Sequence, residues 1–301
     1  MIKKTLHHNN PAKDFFLYLV TFFSLAFVAF GEGSILFQLI NKFISDQIER
    51  TISPFDQGGV KFGIAALIIA GPIFFFVSKI IVKRISEKKT PLESSVRKWL
   101  TYIVLFLAAA TVIGDLIALV INFLNGDAPW GFLLKVLVIL LIAGAIFGYY
   151  FWDMLKAGND REKKKMNFIV TRVIVAILAL SLVASFFIID SPAVSKQKRV
   201  DDQAVANLQN IDSSVRGYFN QTGNLPKSLN DLNKTGLEPA IQQGAGNITY
   251  EMKVSDVYRL CADFVRSNKA DTDPTIIMMS DEWKHDAGRV CFDRIALKTV
   301  K

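Results

Sequence analysis

Five apolar stretches of about 20 residues or more, roughly 15–40, 62–81, 99–124, 130–152 and 168–189, dominate the first two thirds of the chain. An α-helix needs about that many residues to cross ~30 Å of hydrocarbon. Each stretch therefore predicts a membrane-spanning helix, and a mean hydropathy of +0.32 over the whole chain agrees with that. From residue 191 the character changes to polar, and both cysteines lie there. The expected fold is an α-helical membrane bundle of five transmembrane helices plus a small α+β domain. We place a four-helix transmembrane domain at 1–157, a fifth transmembrane helix at 158–190 and an extracytoplasmic α+β domain at 191–301. The last has about 110 residues, enough to bury a modest core.

The net charge of +8 would suit a nucleic-acid partner, but its distribution does not. Residues 191–301 carry 15 Lys/Arg against 14 Asp/Glu, so the polar domain is nearly neutral. The excess sits in short loops between apolar runs, where topology signals and headgroup contacts belong. The sequence thus implies the lipid bilayer as a partner and no nucleic acid. Lys3, Lys4 and Lys13 precede the first run. Lys83, Arg84, Lys88, Lys89, Arg97 and Lys98 fill the second loop, and Lys156, Arg161, Lys163, Lys164 and Lys165 the fourth. The first loop is sparsely basic and 125–129 holds no Lys or Arg. This alternation predicts the N-terminus inside and, after five crossings, the last domain outside. Lys196, Lys198 and Arg199 after the fifth run oppose that reading. The first run is too long for a signal-peptide core and is followed by no small-residue cleavage site, so an uncleaved helix is expected.

Gly71-Pro72 interrupts the second run, where proline removes a backbone donor; neighbouring helices can satisfy the freed carbonyl. Trp99, Tyr102, Trp130, Tyr149, Tyr150 and Trp152 stand near run ends, the positions of interfacial aromatic belts. Two stretches, Lys13-Asp14-Phe15-Phe16-Leu17-Tyr18 and Leu36-Phe37-Gln38-Leu39-Ile40-Asn41, combine with Arg97-Lys98-Trp99, 111–117, 133–136 and 147–153 in a pattern covering about 10–155. That pattern resembles a bacterial and archaeal family of four-helix membrane domains of unknown function. The resemblance implies a membrane bundle and supplies no activity. A prokaryotic cytoplasmic membrane is the expected location.

In the polar domain, Ala204, Leu208, Ile211, Val215 and Tyr218 recur at steps of 3 and 4, the spacing of a helix face. Gly223 is a stop signal. Residues 225–232 read as a turn and a short helix. Residues 248–254 and 257–265 read as a β-hairpin, and 289–297 as a third strand. A hydrophobic helix, then a polar helix carrying Tyr218-Phe219 with Gly223-Asn224-Leu225-Pro226-Lys227-Ser228-Leu229, then a small antiparallel sheet resembles the pseudopilins of type II secretion and type IV pilus systems, over about 166–300. Those families process at Gly-Phe and place a Glu five residues into the mature chain. Here Asn167-Phe168 and Arg172 occupy these positions. The resemblance therefore implies a pilin-like domain used as a fixed external module, with envelope, secretion or pilus proteins as partners.

No nucleophile–base spacing, HExxH or P-loop sequence is present, and we expect neither an enzyme nor a cofactor. His7 and His8 lie in a basic tail, and His285 reads as structural. Gly244-Ala245-Gly246 has Thr249 where a dinucleotide loop needs its third glycine, so it reads as a turn. Asp271, Asp273, Asp281 and Glu282 are weak calcium candidates, since calcium takes several carboxylate oxygens, but their spacing matches no EF-hand. Cys261 and Cys291 are expected to form the single disulfide that two cysteines outside the cytoplasm allow.

Glu32 and Asp115 are ionisable residues inside apolar runs, and such residues face a bundle interior or water. Each lies ten residues before its run's outer boundary, at ~15 Å depth by the helical rise. Lys135 sits five residues into the fourth run. A Glu32–Lys135–Asp115 cluster is one expectation. The other is that Lys135 reaches outward to headgroups while the acids are protonated or face a wet cavity. The leading functional expectation is a non-enzymatic membrane protein with an outer binding or assembly module; ion or solute transport through the bundle is the alternative.

Overall fold

The computed structural model describes residues 11–44, 53–86, 95–126, 128–155, 160–241, 247–254, 256–269 and 281–296. The chain divides into two compact units, Met1–Ile189 and Asp190–Lys301.

The first unit is helical: α1 (Pro11–Phe43), α2 (Gln57–Ser86), α3 (Ser95–Leu124), α4 (Trp130–Leu155) and α5 (Asp160–Phe186). All five are long and apolar enough to span a membrane. Their surfaces remain strongly apolar: Phe30, Phe106 and Leu180 are each more than 70 % exposed.

Glycine governs how α1 and α2 meet. A Cβ at Gly63 would lie 2.5 Å from Ile35 Cγ1 and 2.7 Å from the Gly31 carbonyl oxygen, so the two backbones approach as only glycine permits. Ser34 Oγ donates to the Gly59 carbonyl at 2.8 Å one turn away. Val28, Ile35, Leu67 and Ala70 form the core of this contact, with Leu178 and Leu182 of α5 packed against it.

Polar side chains close both ends of the pair. Arg84 near the end of α2 bonds Asp14 at the start of α1 at 2.8 Å, with Asp14 buried. At the other end Asp56 accepts from the backbone N–H groups of Gly58 and Gly59 at 2.7 and 2.8 Å, which caps α2. The Asp56 N–H in turn donates to Gln38 Oε1 at 2.7 Å, and Asn41 Nδ2 donates to the Pro54 carbonyl at 3.2 Å. α2 runs on through Pro72.

The remaining contacts set direction. Tyr150 of α4 meets Phe22 of α1 with centroids 5.6 Å apart, while Leu134 and Leu137 of α4 line a groove with Leu36, Leu39 and Phe43 of α1. α4 therefore opposes α1. Ser181 of α5 bonds Glu32, and the Lys42 ammonium donates to the Ile188 carbonyl at 3.3 Å, so α5 runs parallel to α1. α2 opposes α1, so Lys83 and Arg84 near the end of α2 lie at the end of the pair where α1 begins.

The second unit begins with α6 (Pro192–Thr222). Its start is fixed by Pro192 in the first turn and by Ser191, whose hydroxyl accepts from the Val194 N–H at 3.3 Å. Its end is fixed by Gly223, which adopts φ 73° and returns its N–H to the Phe219 carbonyl. α7 (Asn230–Lys234) follows, then β1 (Thr249–Val254), β2 (Val257–Phe264), a 3₁₀ turn at Asp281–Trp283 and β3 (Gly288–Ile295).

The sheet is an antiparallel meander in the order β1-β2-β3. Ala204, Leu208, Ile211, Val215 and Phe219 of α6 pack on Tyr258, Leu260, Ala262 and Phe264 of β2. The opposite face of β2 carries Arg259 and Asp263, with Cys261 between them. The expected hairpin and third strand are present to within two residues. α6 starts twelve residues before Ala204, where the periodicity begins, because its first three turns are polar and bear no apolar stripe.

Candidate functional site

Two sets of buried polar groups are candidates, one in each unit. In the helical unit Glu32 is 4 % exposed. Gly31 on one side of it packs on Gly63 and Ala66 of α2, and Gly33 on the other faces Ile142 of α4. These two side-chain-free positions let neighbouring helices close around the acid. Its Oε2 accepts from Ser181 Oγ of α5 at 2.6 Å, while Oε1 is buried and makes no hydrogen bond among the described residues. Ser181 Oγ also lies 3.1 Å from its own helix's Leu178 carbonyl. Asp115 on α3 is buried too, and its Oδ2 has no partner among the described residues.

The structure does not bring Glu32, Lys135 and Asp115 together as an ion-paired cluster. Among the described residues no ion pair joins Lys135 to either acid. The hydroxyl of Ser181 takes the place assigned to the ammonium. Depth along α1, α3 and α4 says nothing of α5, which runs parallel to α1 and buries Ser181 and Ser185. A serine on the buried stripe of the fifth run was the available signal. Likewise Gly59-x-x-x-Gly63 in the second run was the sequence sign of the close α1–α2 approach.

In the second unit the buried carboxylates are fully used. Asp201 of α6 accepts from the backbone N–H groups of Val265 and Arg266 at 2.7 and 2.9 Å, tying down the end of β2. Asp212, about three turns further along the same face of α6, accepts from the Tyr258 hydroxyl at 2.6 Å and from Arg294 Nε at 3.1 Å. Arg216 lies 3.0 Å from its other oxygen as an ion pair without hydrogen-bond alignment. Arg294 continues to Glu282 at 2.8 Å and covers the Trp283 ring at 4.6 Å. Burial, with Asp212 beside it, holds the Tyr258 hydroxyl protonated well above the usual phenol range. Burial pushes Tyr250, which donates to the Pro226 carbonyl at 2.7 Å, up to about 12. This network was missed from sequence because its members lie 46 and 82 residues apart.

His285 is 2 % exposed and stacks on Phe264 at 3.6 Å. Its N–H donates to Asn268 Oδ1 at 2.7 Å, its carbonyl accepts from the Asn268 N–H at 3.1 Å, and burial disfavours its charged form. The contacts are those of a structural residue. Of the calcium candidates, Asp271 and Asp273 lie outside the described residues. Glu282 spends its carboxylate on Arg294, and Asp281 opens the 3₁₀ turn. No group of three or more metal-ligating side chains occurs among the described residues. Cys261 and Cys291 are directly opposed in the β2–β3 register, with sulfurs 2.12 Å apart, the distance of a disulfide. On the same face Arg259 holds the exposed Asp293 carboxyl down to about 2.

With this geometry in hand, comparison adds one finding. Residues 14–150 match a family described as a domain of unknown function, DUF5671. The match runs from the first turn of α1 to Tyr150 in α4 and so covers the two helical hairpins, including Glu32 and Asp115. It stops short of α5 and of the second unit, and no pseudopilin family is matched there. No curated protein and no solved structure matches the chain.

Proposed function

We propose that this is a non-enzymatic integral membrane protein whose five helices anchor an extracytoplasmic binding or assembly module. The observation that carries this reading is the contrast between the units. Five helices keep large apolar surfaces exposed, which water would penalise and lipid would not. The second unit has a closed apolar core, saturated buried carboxylates, a disulfide-bonded sheet and a charged outer face. A bridge of that kind persists where thiols oxidise. The alternating loop charge and alternating helix directions support an inside N-terminus and an outside second unit. The pilin-like order of helix and meander supports a partner among envelope, secretion or pilus proteins, in the cytoplasmic membrane of a prokaryote. Transport is the second reading, and the two buried carboxylates in the bundle favour it.

Cysteines introduced one at a time test the placement. A membrane-impermeant maleimide applied from outside should label Asn125→Cys and Lys301→Cys but not Lys89→Cys. Labelling at Lys89 would reverse the topology. A photo-crosslinking residue at exposed Ile241 or Met252 should then yield one defined protein adduct in cells. The absence of any adduct from both positions would overturn the binding role.

A further inference from the structure

We propose that Glu32 and Ser181 form a proton-binding site inside the bundle, in which the neutral acid is the form the structure is built to hold. The two protonation states of Glu32 differ in the hydrogen bonds they allow. When Glu32 is ionised, the single Ser181 hydroxyl proton goes to Oε2 at 2.6 Å. Oε1 is buried with no donor, as it also is in the neutral acid, and among the described residues no cation pairs with the negative charge. When Oε2 carries a proton, it donates that proton to Ser181 Oγ. The Ser181 hydroxyl is then free to donate its own proton to the Leu178 carbonyl, 3.1 Å away. The chain Glu32 Oε2–H to Ser181 Oγ–H to Leu178 C=O uses every proton it contains. Loading the site moves one proton onto Oε2 and turns the Ser181 hydroxyl from Oε2 to Leu178 O; unloading reverses both.

The surroundings offer no competing partner. The described charged groups on the helices packed against α1 are Lys61, Lys79, Lys83 and Arg84 on α2; Arg97, Lys98 and Asp115 on α3; Lys135 on α4; and Arg172 on α5. None forms an ion pair or hydrogen bond with Glu32. Arg84 is engaged by Asp14, and Arg172 lies over Phe168. On α1 itself, Lys42 reaches the Ile188 carbonyl, and Lys13 and Asp14 stand near the far end of the helix. A buried carboxylate without a cation is costly, whereas in the neutral acid the proton is paired and Oε1, which lacks a donor in either state, is an uncharged carbonyl oxygen. Glu32 lies eleven residues before the end of α1 at Phe43, which puts the site ~16 Å along the helix from that end.

The test uses the full-length protein in lipid. Infrared difference spectra between wild type and Glu32→Gln at neutral pH should show a protonated-carboxyl C=O band present in wild type and absent in the variant. Ser181→Ala should move that band to higher frequency as its hydrogen-bond acceptor is lost. Glu32→Gln, an uncharged isostere of the acid, should fold in the same yield as wild type. A spectrum showing only carboxylate bands for Glu32 would overturn the proposal. So would a severalfold fall in the folded yield of Glu32→Gln with wild-type yield for Ser181→Ala, since that result would mean the charge is what the bundle holds.

Discussion

Adding one methyl group to Gly63 should force α1 and α2 apart, and the structure gives the size of the effect. The new Cβ would lie 2.5 Å from Ile35 Cγ1, 3.1 Å from Ile35 Cδ1 and 2.7 Å from the Gly31 carbonyl oxygen. Carbon atoms rest ~3.5–4.0 Å apart, so the shortfall is about 1 Å. Ile35 is fully buried and cannot swing away. Gly31 O is backbone, so relief requires the helix itself to move, which also strains the Ser34–Gly59 bond. Overpacking of this kind costs ~1–3 kcal/mol. Alanine's better helix propensity returns at most ~1 kcal/mol. Gly63→Ala should therefore lose ~1–2 kcal/mol. The control is Gly144→Ala in α4, where nothing lies within 4 Å of the added Cβ. The same chemistry there should be neutral or stabilising by up to ~1 kcal/mol. Reversible unfolding in mixed micelles, titrated with a denaturing detergent, measures both. If the two variants shift in the same direction by the same amount, close glycine packing is not what joins α1 to α2.

Two further outcomes concern the second unit. Unreduced, denatured protein should contain no alkylatable thiol, and replacing both Cys261 and Cys291 by Ser should lower the unit's stability by ~3–4 kcal/mol in the chain-entropy model for a separation of 30 residues; mass spectrometry finding two modified thiols would refute the bridge. His285 is held neutral by burial, with a folded pKa below its ordinary 6.5, so its contribution to stability is complete above about 6.5 and is lost as pH falls through the lower folded value. Hydrogen exchange at the Asn268 and His285 amides should accelerate on acidification, and His285→Phe, which keeps the stack on Phe264, should remove that acceleration; identical pH profiles would refute it.

What was legible in the sequence follows from the range of the interaction responsible. Helix existence was legible because a 20-residue apolar run is a local pattern. The hairpin was legible because β1 and β2 are separated by two residues, so strand pattern and turn fall in one window. The α6–β2 core could be read from one side only: the stripe from Ala204 to Val215 announces a face, not its partner. Long-range polar pairing was not legible. Nothing near Asp212 points to Tyr258 or Arg294, and nothing near Glu32 points to Ser181. For the same reason the Lys135 cluster was only one of two readings of these residues. Depth along a helix is readable from sequence, but the angle around it and the choice of neighbour are set by packing. Here packing was decided by glycines at 31, 59 and 63, which draw α1 to α2 and leave Glu32 facing α5.

The way buried carboxylates are satisfied separates scaffold from candidate function. Asp201 gives each oxygen a backbone N–H, Asp212 binds a phenol and a guanidinium, and Asp14 holds Arg84. As carboxylates Asp201 and Asp212 have a partner for each oxygen and Asp14 has a cation, and removing any of them would loosen a joint. Glu32 and Asp115 differ, for each keeps a buried oxygen without a partner among the described residues. A leucine at either place would pack in the same surroundings at less cost, since unpaired buried polar groups destabilise a fold by ~1–3 kcal/mol each. Stability therefore does not account for these two acids, and for Glu32 the proposed proton site does. It also explains why the partner of Glu32 is a hydroxyl. A lysine would fix the charge, whereas serine can donate to the ionised form and accept from the neutral one. The site thus lies on the contact between the DUF5671-like hairpins and α5, the helix that leads by way of residues 187–191 into the second unit.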